Sequence, residues 1–355
     1  MSQPKKIVEH GHLESDGYFW NLKKCDRAAC VYNIIMGGRG IGKTFGCLHR
    51  ARTMYSKFIY VRRTEVEIGA IANPKYNPFK KLNAHFDWNI QATYTAKEGM
   101  GAFYDTRIDE DGQEIEEFVG YAAAVSTFSK LRGADLSDVD IGVYDEFMKS
   151  KNAKPIKGEA EMFFDMCETI NRNRELLGEK PVIWYILSNS RSLDSPLLSE
   201  LKLIPVIEHM KRNNRQAYTD KSRELHIELP ADLEISNDKR GTSLYKLLGD
   251  NTYTSHAIDN EFAYDSFENI KTVNMREYEP YIQVEDLYVY SHKSDIRYHI
   301  CTSQAKCPYV FAGDGIPLFR KSLGLRLHRL MMAGSVTYSS FKTKSQAWGY
   351  FTGTK

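Results

Sequence analysis

Eight consecutive residues, Gly37-Gly38-Arg39-Gly40-Ile41-Gly42-Lys43-Thr44, carry the spacing G-x-x-x-x-G-K-[ST]. Glycines let a chain wrap a phosphate closely and aim successive N–H groups at it. The lysine then reaches the β- and γ-phosphates, and the threonine hydroxyl takes a Mg²⁺ ion. Further along, Asp145-Glu146 follows the apolar run Asp140-Ile141-Gly142-Val143-Tyr144. A carboxylate at the end of a core strand is where a phosphate-loop site needs its second magnesium ligand, which gives Asp145 that role. Glu146 beside it is the natural base for an attacking water, and an ionised base there argues for hydrolysis rather than transfer to an acceptor. Acidic pairs end many strands; the phosphate loop is what gives this one meaning. ATP and Mg²⁺ are the expected ligands.

Other residues have two readings each. Ser188-Asn189 closes the strand-like run Val182–Leu187; a polar residue there senses the γ-phosphate, or else caps a helix. Arg172 and Arg174 lie near the end of a predicted helix. Either one completes a neighbouring site as an arginine finger, or both pair with a helix C-terminus. Arg39 and the pair Arg62-Arg63 are weaker cationic candidates. Lys149, Lys151, Lys154 and Lys157 follow shortly after the Asp-Glu pair, as a loop that contacts a phosphate backbone or as a solvated charge run. Tyr18-Phe19-Trp20 packs on an adenine base or staples the chain to the domain. After Asp314 there is no acidic residue, while Arg320, Lys321, Arg326, Arg329, Lys342 and Lys344 alternate with aromatics. That basic segment binds nucleic acid or an acidic partner, or is a solvated face over a packed core.

The elements that must position these groups are legible in outline. Val31–Met36 reads as a buried strand entering the loop, and a helix is expected from Lys43 to about Tyr55. Phe58–Val61, Asp140–Tyr144 and Val182–Leu187 are further buried strands, with a helix from about Gly158 to Leu177. The segment from Trp88 to Val125, turning at Asp111-Gly112, reads as an antiparallel hairpin inserted outside the parallel sheet. Strands alternating with helices predict an α/β fold, a doubly wound and mostly parallel P-loop NTPase sheet with a β-hairpin insertion. The expected division is an ATPase domain over 1–199, a charged linker subdomain over 200–250, and a smaller α+β domain over 251–355. The 355 residues suit two domains, and 42% apolar content suits packed cores. Net charge is only +2, so any nucleic-acid surface is local. The six cysteines form no Cys-x-x-Cys pair and read as reduced thiols. No run approaches the ~18 apolar residues of a membrane span. With no cleavable signal at the N-terminus, a soluble intracellular protein is expected.

The chain resembles the DNA-packaging ATPases of Salasmaviridae-like podoviruses, the small protein-primed Bacillus phages. Gly37–Thr44 with its internal arginine, Tyr60-Val61-Arg62-Arg63 and Tyr144-Asp145-Glu146-Phe147 carry the likeness. Arg172-Asn173-Arg174-Glu175 and Leu187-Ser188-Asn189 complete it. Ser129-Lys130-Leu131-Arg132-Gly133 is similar to the wider terminase group. The resemblance implies an additional-glutamate (ASCE) P-loop ATPase in a homo-oligomeric, pentameric ring. Such a ring docks on the portal of an empty procapsid in the host cytoplasm, with or without a packaging RNA, and pumps double-stranded DNA inward. It makes Arg172 the trans-acting finger and the lysine run the DNA grip. The C-terminal domain would be a ribonuclease-H-like, vestigial nuclease. Asp259, Glu261, Asp265 and Asp314 form no two-metal pattern there, so no nuclease activity is expected. A helicase-like or AAA-type remodelling ATPase, and a nucleotide-gated assembly adaptor without steady turnover, are the alternatives.

Overall fold

The computed structural model describes residues 18–131, 133–149, 153, 155–189, 193, 195–231, 233–249, 254 and 269–352. The chain divides into two compact units, one within residues 1–197 and 214–264, the other within 198–213 and 265–355.

The first unit is built on nine strands: β1 (Tyr32–Gly37), β2 (Phe58–Arg62), β3 (Ile90–Thr95), β4 (Met100–Ile108), β5 (Glu114–Ala124), β6 (Ile141–Asp145), β7 (Ile183–Asn189), β8 (Ala217–Asp220) and β9 (Leu225–Glu228). Their order across the sheet is β3-β4-β5-β2-β6-β7-β1-β9-β8. The six central strands, β5 to β9 in that order, pair in parallel. Such strands are buried on both faces, which is why they read as continuous apolar runs without alternation. All five residues of β6 are buried. Gly142 within it has no room for a side chain, since a Cβ would stand 2.4 Å from the Trp184 ring on β7.

Helices cover the sheet: α1 (Lys23–Ala28), α2 (Lys43–Met54), α3 (Glu65–Ile71), α4 (Lys80–Phe86) and α5 (Glu159–Asn171). Thr64 and Glu67 form a capping box that starts α3. Within α5, Phe163, Met166, Cys167 and Ile170 are all buried, as their helical spacing predicts.

Two expectations need correction here. The Trp88–Val125 segment is three strands, β3 to β5, and it is not outside the parallel sheet. β4 and β5 form the hairpin, but the apolar half of β5, Gly120–Ala124, pairs in parallel with β2. The polar outer half of the hairpin is what made it read as an insertion. Residues 200–250 are not a linker subdomain either. Residues 204–212 form α6 (Ile204–Arg212), which belongs to the second unit. After it, β8 and β9 extend the sheet beside β1, and α7 (Glu234–Arg240) and α8 (Ser243–Leu248) follow in the first unit. β8 and β9 span only four residues each, too short to show a period.

The second unit holds a five-stranded sheet. Its strands are β10 (Tyr278–Val284), β11 (Leu287–His292), β12 (Tyr298–Cys301), β13 (Tyr309–Phe311) and β14 (Val336–Tyr338), ordered β13-β10-β11-β12-β14. β10, β11 and β12 are an antiparallel meander, flanked by β13 and β14 in parallel pairing. Residues 316–332 are helical as expected, with a π turn over Arg320–Gly324 ahead of α9 (Leu325–Met332), and α10 (Phe341–Thr352) follows. The buried Glu208 of α6 accepts the Phe341 N–H at 2.6 Å, which satisfies one of the free donors that open α10. Asp314 is exposed in a turn; Asp259, Glu261 and Asp265 lie outside the described residues.

Candidate active site

The predicted phosphate loop leaves the C-terminal end of β1 and enters α2, whose first residue is Lys43. Gly40 and Gly42 hold φ angles of +63° and +99°, which bend the loop in a way that side-chain-bearing residues resist. Lys43 is buried. Its Nζ donates to the carbonyls of Gly37 and Gly38 at 2.9 and 2.8 Å and reaches Asn189 Oδ1 at 3.4 Å. Burial pushes its pKa down to about 8. Arg39 is exposed on the loop, and the Ile41 side chain is packed inward.

The parallel registers bring the distant motifs here. Gly37 on β1 stands beside Asn189 on β7, and Asp145 on β6 beside Leu187. Thr44 Oγ1 lies 3.2 and 3.1 Å from the two Asp145 carboxylate oxygens. Tyr60 donates its hydroxyl to Asp145 Oδ2 at 3.0 Å, and an Arg62 guanidinium nitrogen stands 3.6 Å from the same oxygen. Glu146 takes a left-handed φ of +56° as the chain leaves β6, and its Oε1 accepts from Asn189 Nδ2 at 2.6 Å. Asn189 thus touches both the loop lysine and the expected base.

Successive strand residues face opposite sides of a sheet, and this separates the two sensor candidates. Asn189 lines the cleft. Ser188 does not, and its buried hydroxyl has no hydrogen-bond partner among the described residues.

The arginines also separate. Arg63 makes a bidentate pair with Glu159 at 2.5 and 2.8 Å, sealed from solvent, and does not line the cleft. Arg174 is buried too, bonded to the Ser137 carbonyl and 3.4 Å from Asp140. Arg172 terminates α5 with φ +45°. Its side chain, 43% exposed, rests on the Ala134 carbonyl at 2.7 Å and lies 3.6 Å from Asp135. Neither Arg172 nor Arg174 lines the cleft of its own chain. Of the lysine run, Lys149 is half-buried and Lys157 exposed; Lys151 and Lys154 lie outside the described residues.

Around the loop lies a cleft of about 760 Å³, a nucleotide-sized space. Tyr18 and Phe19 line it, whereas Trp20 is buried away from it, donating Nε1 to Glu228. Ile235, Asp238, Lys239 and Thr242, in and just after α7, also line the cleft. Lys239 Nζ donates to the Arg39 carbonyl and sits 2.8 Å from where a Gly40 Cβ would be. Tyr18 donates its hydroxyl to Asp238 at 2.9 Å, and burial together with that carboxylate raises the phenol to about 12. These α7 residues were not foreseen: they form no motif and sit in a charged stretch that looks solvated.

The donor set fits ATP with magnesium. A hydroxyl pressed on a carboxylate at 3.1–3.2 Å brings together two oxygen ligands of the kind Mg²⁺ takes. A buried ammonium whose partners among the described residues are loop carbonyls and an amide oxygen can exchange them for phosphate oxygens.

The fold is that of a P-loop ATPase, and Gly37–Thr44 stands where the loop of such a fold leaves its strand. Residues 15–279 match the family described as Podovirus DNA encapsidation protein (Gp16), and the chain belongs to that family; packaging of viral DNA is its function. It is 26% identical over 253 residues to the DNA packaging protein of Bacillus phage phi29, covering 70% of this chain and 67% of that protein. The match to the DNA packaging protein of Bacillus phage PZA has the same identity and extent. A solved chain of the bacteriophage Phi-29 viral genome packaging motor assembly superposes with a TM-score of 0.64 at 21% identity, covering 94% of this chain and 99% of that one. The Phi-28 gp11 DNA packaging motor gives 0.52 at 19% identity, over 95% and 98%. These two share the fold. No described helix is long and apolar enough to cross a membrane.

Proposed function

We propose that this chain hydrolyses ATP as one subunit of a homo-oligomeric ring, and that the ring drives double-stranded DNA through the portal of a procapsid in the host cytoplasm. The observation that carries the reading is Asn189, which joins Glu146 at 2.6 Å to Lys43 at 3.4 Å. A γ-phosphate that draws Lys43 away from Asn189 changes what holds the base, so binding and hydrolysis are coupled through one amide.

The roles follow from position. Lys43 and the loop N–H groups hold the phosphates, and Thr44 with Asp145 would ligate Mg²⁺, which neutralises charge on the β- and γ-oxygens when bound. Tyr60 and Arg62 orient the Asp145 carboxylate. Glu146 takes the proton of the attacking water. Arg172 is the finger offered to a neighbouring subunit: it is half-exposed and, among the described residues, held on main-chain carbonyls and one exposed carboxylate, while Arg174 is committed internally. The lysine run from Lys149 to Lys157, with Lys151 and Lys154 inside it, follows Glu146 closely in sequence and is assigned to the DNA backbone.

The test is steady-state ATPase activity of the purified chain, alone, with duplex or single-stranded DNA, and with procapsids. Stimulation by duplex together with procapsids is expected. Turnover raised by single strands alone, or no turnover under any condition, would count against a packaging motor.

A further inference from the structure

A second buried carboxylate stands apart from the nucleotide cleft. Glu228 ends β9 and is 1% exposed. Its Oε1 lies 3.1 Å from Cys25 Sγ and 3.2 Å from His226 Nε2, and its Oε2 accepts from Trp20 Nε1 at 3.0 Å. His226 and Glu228 alternate along β9 and therefore share a face; α1 brings Cys25 to them. One ligand atom from each of the three residues falls within 4.8 Å of the others. Among the described residues no lysine or arginine pairs with Glu228; the basic side chain beside it is His226.

We propose that Cys25, His226 and Glu228 are a binding site for a zinc-class divalent cation. Thiolate, imidazole and carboxylate are the ligand kinds zinc takes, at about 2.3, 2.0–2.1 and 2.0–2.2 Å; tetrahedral corners at such lengths stand about 3.3–3.7 Å apart. The observed 3.1 and 3.2 Å separations need to open by only a few tenths of an ångström. On binding, the metal replaces the Cys25 thiol proton, which leaves to solvent. The thiolate and the carboxylate then balance the two charges of the cation.

Supporting contacts of the kind metal sites use are in place. His226 Nδ1 lies 2.8 Å from Thr219 Oγ1 on β8, which fixes the ring with Nε2 toward the site, and the Trp20 indole fixes the carboxylate. A pocket of about 270 Å³ is lined by Glu228 and Trp20 and adjoins the site on that side. The Trp20 main-chain N–H donates to the Ile41 carbonyl at 2.9 Å, so a cation here would tie α1 and β9 to the segment behind the phosphate loop.

The experiment titrates the full chain, stripped of metal by a chelator, with Co²⁺ and then Zn²⁺. About one Co²⁺ per chain, a thiolate-to-cobalt charge-transfer band and displacement by Zn²⁺ are expected. Cys25→Ser should lose the band, His226→Gln should weaken binding at least about tenfold, and Cys307→Ser should keep both. A folded wild-type chain without the band overturns the proposal, as does a band that survives Cys25→Ser. If Cys25→Ser does not fold, His226→Gln decides, and unchanged cobalt affinity in that variant overturns the assignment.

Discussion

One wall of the cleft comes from three short motifs, Gly37–Thr44, Asp145-Glu146 and Asn189, each at the C-terminal end of a parallel strand. Another wall comes from Tyr18, Phe19 and α7, where Asp238 and Lys239 present polar groups without any motif. The difference is one of tolerance. Phosphate and magnesium demand fixed backbone, positive φ at glycine and carboxylates at set registers, so few residue types serve. The rest of a nucleotide asks for surface and a few polar contacts, and many sequences supply those. Losing a group of the first wall should therefore lower kcat whether or not affinity changes, and losing one of the second should raise KM alone.

Arg172 belongs to neither wall, and it tests whether the two are sufficient. Arg172→Ala should leave nucleotide binding intact, lower turnover about 10³-fold, and poison rings in which it is mixed with wild type. Turnover by a monomer that ignores the substitution would show that the two walls alone complete the site.

The motif wall also has a pH signature. Free of nucleotide, Lys43 titrates near 8 because it is buried. ATP binds the charged form, so apparent affinity should fall by up to about tenfold per unit above pH 8. Stability runs the other way. The unfolded chain holds its Lys43 proton up to the ordinary value of 10.5, so between about 8 and 10.5 unfolding takes up a proton and the Lys43 contribution to stability rises with pH. Isothermal titration at stepped pH and thermal melts without nucleotide read the two trends separately; parallel trends would remove Lys43 as their source.

Lys239→Ala should raise KM for ATP about tenfold, as loss of a charge-assisted contact implies, with kcat changed less than about twofold. A kcat loss as deep as that of Arg172→Ala would move α7 into the chemistry and erase the distinction between the walls.

The same contrast explains what the sequence showed. The phosphate loop, Asp145 and Glu146 were legible because their chemistry fixes residue type and spacing, and the central strands because burial on both faces leaves apolar runs. β8 and β9, at four residues each, gave no period, so a part of the sheet passed for a linker. Arg62 and Arg63 are neighbours of one type. Only the structure shows that Arg62 faces Asp145 while Arg63 locks to Glu159. Cys25, His226 and Glu228 stay unlinked until α1 meets β9.

In the proposed motor Glu146, held by Asn189, activates the water that hydrolyses ATP, and that turnover moves DNA. The most direct measurement follows ATP turnover and nuclease-protected DNA in procapsids for wild type and Glu146→Gln under identical conditions. The variant should bind ATP with wild-type affinity, lose about 10²–10⁴-fold in turnover, and protect no DNA. Packaging by Glu146→Gln at the wild-type rate would contradict the account.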